Sequence, residues 1–159
     1  MPAAIDELER VVGSAYRPGY GIGTAIGDAQ GPRGLTDQIA GAAALITACV
    51  GTSRQPYGML AAELVQFARR TFWSAGDGAF ADGGGPAAFA VNCDAVRVLC
   101  RLARLLGDEE YRRGAVIAAD TDYRADAARI LETHLDAATA GAARAAPYAL
   151  ALDDWLALR

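Results

Sequence analysis

The chain gathers its basic residues into no cluster, and its net charge is -4. Nucleic acid and anionic membrane surfaces draw proteins through clustered positive charge, so neither is expected as the main partner. Met1-Pro2-Ala3-Ala4-Ile5-Asp6-Glu7 carries acids where a secretory leader has an apolar run, so this stretch is not expected to act as one. No stretch holds about twenty apolar residues clear of charge and glycine, as a membrane-spanning helix requires. CxxC is absent, and the three cysteines, Cys49, Cys93 and Cys100, are odd in number and far apart. Such spacing fits reduced thiols and offers no disulfide framework. With neither CxxC nor HxxxH spacing, no metal site is expected, and no cofactor motif stands in its place. Gly19-Tyr20-Gly21-Ile22-Gly23 is glycine-rich, but no strand is expected before it and no Lys-Ser/Thr follows, so it is not read as a phosphate cradle. A cytoplasmic location and small-molecule or protein partners are the expectation.

What is present is helical pattern. At 159 residues and 53% hydrophobic content the chain can bury one core, and a single domain over 1–159 is expected. Ile5, Leu8, Val11 and Val12 at helical spacing predict a short amphipathic helix ending near Ser14. The aromatic and glycine turn at 16–23 breaks it, and 27–34 with Pro32 reads as a connector, so 1–33 is the end of one hairpin plus its link. Thr36 is expected to cap a small-residue helix through Ile39, Ala42, Ile46 and Val50 that stops at Gly51. Pro56 suits the first position of the next helix, whose apolar face carries Leu60, Leu64 and Phe67. These two helices form a hairpin over 34–82. From about Phe89 a third long helix turns Val91, Ala95, Val98, Leu99, Leu102 and Leu106 inward. Gly107 stops it, and Asp108 caps the next helix with Glu109 and Glu110 in the first turn. A helix over 123–138 follows, and Pro147 is expected to start a last one, making 83–159 a hairpin plus a C-terminal helix. Nothing alternates long enough for a sheet. The expected fold class is all-α, a tandem of antiparallel helical hairpins.

Residues 45–61 laid on 99–115 bring Tyr57 onto Tyr111 and Ala61 onto Ala115, a period of about 54 residues. After Ala115 the register slips, because Asp122-Tyr123-Arg124 resembles Glu110-Tyr111-Arg112 about a dozen positions later. The most distinctive motif is Phe72-Trp73-Ser74-Ala75-Gly76-Asp77-Gly78-Ala79-Phe80-Ala81-Asp82, and 16–23 reads as its weaker copy one hairpin earlier.

Taken in order, the chain shows Leu35-Thr36-Asp37-Gln38, a small-residue helix, then Tyr57, Ala61 and Leu64, then Phe72-Trp73 with Gly78-Ala79-Phe80-Ala81-Asp82. Asn92, Leu99, Leu102 and Leu106-Gly107-Asp108 with Tyr111 complete it. This order resembles the (α/α) toroid of six-hairpin glycosidase-like proteins. More narrowly, it is similar to the C-terminal region of the thioredoxin-domain family that includes the YyaL-type and spermatogenesis-associated proteins. The resemblance spans roughly residues 34–157, and sugar epimerases and unsaturated glucuronyl hydrolases share its motifs. It implies a full ring of hairpins and an N-terminal thioredoxin-like domain. Helices for only two to three hairpins are present, so a partial (α/α)6 toroid is expected, completed by a second copy or by a missing N-terminal thioredoxin-like part. Family members carry an acid directly after the Phe-Trp pair, where this chain has Ser74 and places Asp77 later.

In such toroids the loops between hairpins line a cleft, where aromatic faces stack on sugar rings and carboxylates bind hydroxyls or move protons. The resemblance therefore nominates Trp73, Asp77, Asp82 and Asn92 as the pocket of a carbohydrate-like ligand. The plainer reading has Phe72, Trp73 and Phe80 plugging the hairpin end beside solvated acids. To act as a catalytic pair, Asp77 and Asp82 would need a separation of about 5 to 10 Å. His134, the single histidine, falls beside an apolar stripe and reads as a packed helix residue rather than a general base. Arg97, Arg101 and Arg104 read as a solvated face, with a phosphate or carboxylate clamp as the alternative. No catalytic residue is nominated. The expectation is a structural or ligand-binding role without independent catalysis. The alternative is a sugar-metabolising enzyme, of the N-acylglucosamine 2-epimerase or glycoside hydrolase type, completed by homo-oligomerisation or by a missing N-terminal part.

Overall fold

The structure, a computed structural model, describes residues 2–25, 27, 31–83, 85–114 and 121–158. The chain divides into two compact units, 1–70 and 71–159, and helix dominates both. The fold class is all-α, with a few short strands.

In the first unit α1 (Pro2–Ala15) runs into a β-hairpin of β1 (Tyr16–Arg17) and β2 (Gly21–Ile22), with Tyr16 opposite Ile22 and Arg17 opposite Gly21. Gly19 and Gly21 both take a φ of 76°, a left-handed backbone that side chains resist, and Tyr20 N–H closes the turn on the Arg17 carbonyl at 3.0 Å. α2 (Leu35–Thr52) and α3 (Gln55–Phe72) follow. Both hold the hairpin. Gln38 of α2, fully buried, accepts Ile22 N–H on Oε1 at 2.8 Å and donates from Nε2 to the Ile22 carbonyl at 2.7 Å. The same Nε2 reaches the Gly34 carbonyl at 3.2 Å. Glu63 of α3 accepts Gly19 N–H at 2.8 Å and pairs with the Tyr16 hydroxyl, whose pKa is raised by burial and by that carboxylate. A Cβ on Gly21 would overlap Gln38 Oε1 and stand 2.7 Å from Phe67, so only glycine fits there. At the other end of the unit the Tyr57 hydroxyl donates to Glu9 of α1, and Arg54 donates to the same carboxylate at 2.9 Å.

In the second unit β3 (Trp73–Ser74), β4 (Ala79–Asp82) and β5 (Gly85–Pro86) form an antiparallel ribbon, with Trp73 opposite Phe80 and Ala81 opposite Pro86. α4 (Phe89–Gly107) and the short α5 (Glu109–Gly114) precede α6 (Tyr123–Thr139) and α7 (Ala142–Leu156). α4, α6 and α7 pack on one another. Tyr148 of α7 donates to the Leu131 carbonyl at 3.0 Å and Trp155 Nε1 to the Arg124 carbonyl at 3.2 Å, so α7 runs back along α6. Asn92 of α4, fully buried, accepts Phe80 N–H at 3.0 Å and donates to the Phe80 carbonyl at 3.2 Å. Thr133 of α6 donates to the Asp77 carbonyl in the turn at 2.6 Å.

The units are built alike. Asn92 stands 54 positions after Gln38, and α4 and α5 begin 54 positions after α2 and α3. In burial, however, α6 is the counterpart of α3: Tyr123, Ala127, Ile130 and Leu131 are buried as Tyr57, Ala61, Leu64 and Val65 are, 66 positions earlier. The extra dozen residues are the slip visible in the sequence. Ala115, matched there to Ala61, lies outside the described residues.

Several local expectations are corrected. Strands do occur, but each has only two to four residues, too few for alternation to register. Gly34, not Thr36, is the N-cap of α2, with no side-chain cap, because the helix bonds begin at the Gly34 carbonyl. The left-handed stop falls on Ser53 (φ 56°) rather than Gly51, since α2 continues through Thr52, whose Oγ1 donates to the Ala48 carbonyl at 2.7 Å. Pro147 lies inside α7 instead of starting it. The alanine-rich stretch from Ala142 has high helix propensity, and the helix begins from Gly141 at the cost of one backbone bond. α2, with Asp37 as its one charge, is by length and composition apolar enough to cross a membrane, and its Leu35, Gln38, Ile39, Ala42, Leu45 and Ile46 are buried within the fold.

Asn92→Leu leaves the buried Phe80 N–H without its partner and the Phe80 carbonyl with only the Ala87 N–H, so the unfolding free energy should fall by about 1 to 3 kcal/mol in urea titration. Gln38→Leu should do the same through Ile22. A loss under about 0.5 kcal/mol, the range of an ordinary surface change, would show that the amides do not hold the hairpins.

Candidate functional site

The turn between β3 and β4 is the best-built exposed feature of the second unit. Trp73 and Phe80 face each other across the strand pair and meet edge to face, with centroids 5.2 Å apart at 86°. Such a pair contributes about 0.5 to 1.5 kcal/mol beyond its buried area. Phe80 is buried at 2% exposure, while Trp73 is only half-buried and keeps part of its indole open. The turn closes through Gly78 N–H to the Ser74 carbonyl at 2.9 Å, with Gly78 at a φ of 68°.

Asp77 is exposed, and its carboxylate accepts from Ser74 Oγ at 2.6 Å. Ser74 directly follows the Phe-Trp pair, and its bond to Asp77 brings a carboxylate beside that position. Asp82 is exposed at the far end of β4. Asp82 ends β4 and Asp77 lies in the turn before it begins, so the two acids stand towards opposite ends of a strand about 10 Å long and share no contact with a common partner among the described bonds. Asn92 lies beneath the strand at 0% exposure, with its amide bonded to Phe80 on both sides. The structure thus joins Trp73 and Asp77 in one turn and places Asn92 underneath as their support.

His134 follows Thr133 on α6. Its ring packs edge to face on Phe89 at 5.3 Å and 78°, and its Nε2 is buried without a hydrogen-bond partner. Burial lowers its pKa below the ordinary histidine value, which favours the neutral ring. Burial pushes Cys93 up to about 11 and Cys100 up to about 12, so both are thiols near neutral pH and poor nucleophiles. Among the described residues no three His, Cys, Asp or Glu side chains gather as metal ligands would. Arg97 and Arg104 are exposed, as expected of a solvated face, and both also reach α7: Arg97 pairs with Asp154 at 3.0 Å, and Arg104 donates to the Asp154 carbonyl at 3.2 Å. The sequence reading did not single out Thr133 or Glu63, which hold the two turns. A lone Thr or Glu on a helix carries no pattern that would mark it. Gln38 was detectable, since it occupies the repeat position of Asn92.

The turn offers a half-open indole fixed on Phe80 and an exposed carboxylate bonded to Ser74. The first can stack a flat apolar surface and the second can accept hydrogen bonds. In comparisons with known proteins, no family model, no curated protein and no solved structure matches this chain.

Two measurements follow from this geometry. Thr133→Val should free the turn, raising amide hydrogen exchange at 76–78 several-fold, about what the loss of a bond worth 0.5 to 1.5 kcal/mol allows. Unchanged protection would show that the turn holds itself. For His134, the folded pKa lies below the unfolded one, so the unfolded chain binds more protons as pH falls below about 6.5. Its contribution is fully present above that value and is lost as pH drops towards the folded pKa. His134→Gln should therefore flatten the fall of the urea midpoint between about pH 7.5 and about pH 5. An unchanged slope would assign that fall to other groups.

Proposed function

We propose that the chain is a tandem of hairpin modules from an (α/α) toroid of the six-hairpin glycosidase-like kind, and that it holds a carbohydrate-like ligand at its second hairpin turn. It has no independent catalysis in this reading. The observation that supports it is a half-open Trp73, immobilised on Phe80 in an amide-held hairpin whose turn also carries the exposed Asp77 carboxylate. A sugar ring needs those two elements, an apolar face to stack on and an acceptor for its hydroxyls. The repetition of the amide clamp at a 54-residue interval supports the toroid part of the reading, since such rings are built from successive like hairpins. A second copy or an N-terminal thioredoxin-like part would supply the remaining hairpins. Three buried free cysteines suit a reducing compartment, here the cytoplasm.

One stacked ring and a few hydrogen bonds correspond to dissociation constants of about 1 mM. Saturation-transfer NMR with a panel of mono- and disaccharides should detect binding in that range. Trp73→Ala should abolish it and Trp73→Phe, which keeps the edge contact with Phe80, should weaken it only partly. No transfer from any sugar, or transfer undiminished in Trp73→Ala, would remove the ligand reading.

A further inference from the structure

We propose that the surface of α4 and α7 around Asp154 binds a phosphate group, free or carried as the monoester of a small molecule, through the guanidinium groups of Arg97, Arg101 and Arg104. Intervals of four and three residues place these arginines on one side of α4, with Arg97 and Arg104 about 10 Å apart along the helix. Asp154 draws the outer two together. Its Oδ2 accepts from Arg97 Nε at 3.0 Å, its Oδ1 lies 3.7 Å from Arg104 Nη1, and its carbonyl accepts from Arg104 Nη2 at 3.2 Å. Two side chains rooted on different turns therefore converge, and the charges of all three groups bear on Arg101 between them.

The fold thus gathers basic residues that the sequence disperses. Arg124 adds a fourth from α6: its charge bears on Cys100 together with those of Arg104 and Asp154, and its guanidinium lies over the Trp155 ring. Among the described residues Asp154 is the one acid whose charge bears on Arg101, while Arg97 and Arg104 oppose it. Burial first, and then those two like charges, hold Arg101 below the ordinary arginine value. An excess of positive charge around a half-buried guanidinium is relieved by an anion, and more by one of two charges than by one of a single charge.

Donors remain to hold it. Arg97 is 45% exposed and, among the described residues, bonds only through Nε, so both of its Nη groups are open to a ligand. Arg104, 43% exposed, bonds there only through Nη2, since 3.7 Å at Nη1 is too long for a hydrogen bond. Converging guanidinium edges match the forked geometry by which arginine takes phosphate oxygens. The patch is also closed at its ends. Asp94, one turn before Arg97, and Asp108, one turn after Arg104, are exposed acids, and on a chain of net charge -4 they repel a long polyanion while leaving room for a single phosphate. The inference does not rest on the sugar reading, so failure of sugar binding at Trp73 leaves it intact.

NMR of the arginine side chains in the full chain tests it. At constant ionic strength inorganic phosphate should shift the Nε–H signals of Arg97, Arg101 and Arg104 saturably, with a midpoint of about 1 mM, and chloride should not. Arg101→Gln and Arg97→Gln should each raise the midpoint about tenfold. Arg97→Lys keeps the charge and loses the fork, so it should raise the midpoint about threefold. Far-UV circular dichroism verifies the fold of each variant. Glycerol 3-phosphate binding more tightly than inorganic phosphate identifies a monoester as the ligand, and equal or weaker binding identifies free phosphate. No saturable shift up to about 50 mM phosphate would overturn the proposal. So would an equal response to acetate, which marks a carboxylate site, or a midpoint unchanged in either glutamine variant.

Discussion

A buried carboxamide that bonds both the N–H and the carbonyl of one strand residue is the constraint on which each unit depends. A strand of two to four residues leaves some of its backbone outside the ladder, and groups left unpaired away from water cost about 1 to 3 kcal/mol each. Gln38 serves Ile22 and Asn92 serves Phe80. Among the side chains, only a carboxamide carries an acceptor and a donor side by side at the required spacing. A carboxylate would set negative charge against the strand carbonyl, and a hydroxyl would reach one group at a time. The difference in length between the two residues has a counterpart in the loops. The connector from Ile22 to α2 is longer than that from Phe80 to α4, and the longer Gln38 also takes the Gly34 carbonyl at its end.

Once the strand is held, the turn beyond it needs a second support, and here the units diverge. Glu63 holds the first turn through Gly19 N–H, and Thr133 holds the second through the Asp77 carbonyl. The first turn is Pro18-Gly19-Tyr20, with no acid, and faces glycine packed too closely for any side chain. The second carries Trp73, Ser74 and Asp77 in one bonded arrangement. Elements common to both units serve the scaffold, so chemistry particular to this chain is to be sought where they differ.

The helices and the 54-residue period were legible because both rest on many residues at once. Apolar positions such as Leu45, Leu99 and Leu102 repeat at helical spacing, and no single substitution would hide them. The strands were not legible. Two to four residues carry no period, and the bonds that create them come from Gln38 and Asn92, each more than ten positions away. Helix ends were misplaced for a related reason: Thr36, Gly51 and Pro147 are good boundary residues by type, but backbone bonding at Gly34, Ser53 and Ala142 set the limits. Of the candidate site, Trp73 and Asp77 were found as a motif, whereas the role of Asn92 needed its depth. A polar residue among aromatics looks the same in sequence whether it meets a ligand or a strand.

α7 shows the limit of pattern most directly, because both of its sides mix polar and apolar residues. Its inward side carries the fully buried Ala151 with Tyr148, Asp154 and Trp155, which bond the Leu131 carbonyl, Arg97 and the Arg124 carbonyl, while alanines, Leu150 and Asp153 face out. An amphipathic reading would have turned the helix the other way. The inward orientation survives because three polar handles each find a partner on α4 or α6, and Arg124 lies over the Trp155 ring at 5.5 Å. Exposed ion pairs contribute only about 0 to 1 kcal/mol each, so Arg97 and Asp154 set direction more than they add stability. Fully burying a leucine is worth about 1.5 to 3 kcal/mol, so a half-bare Leu150 forgoes part of what its side chain offers.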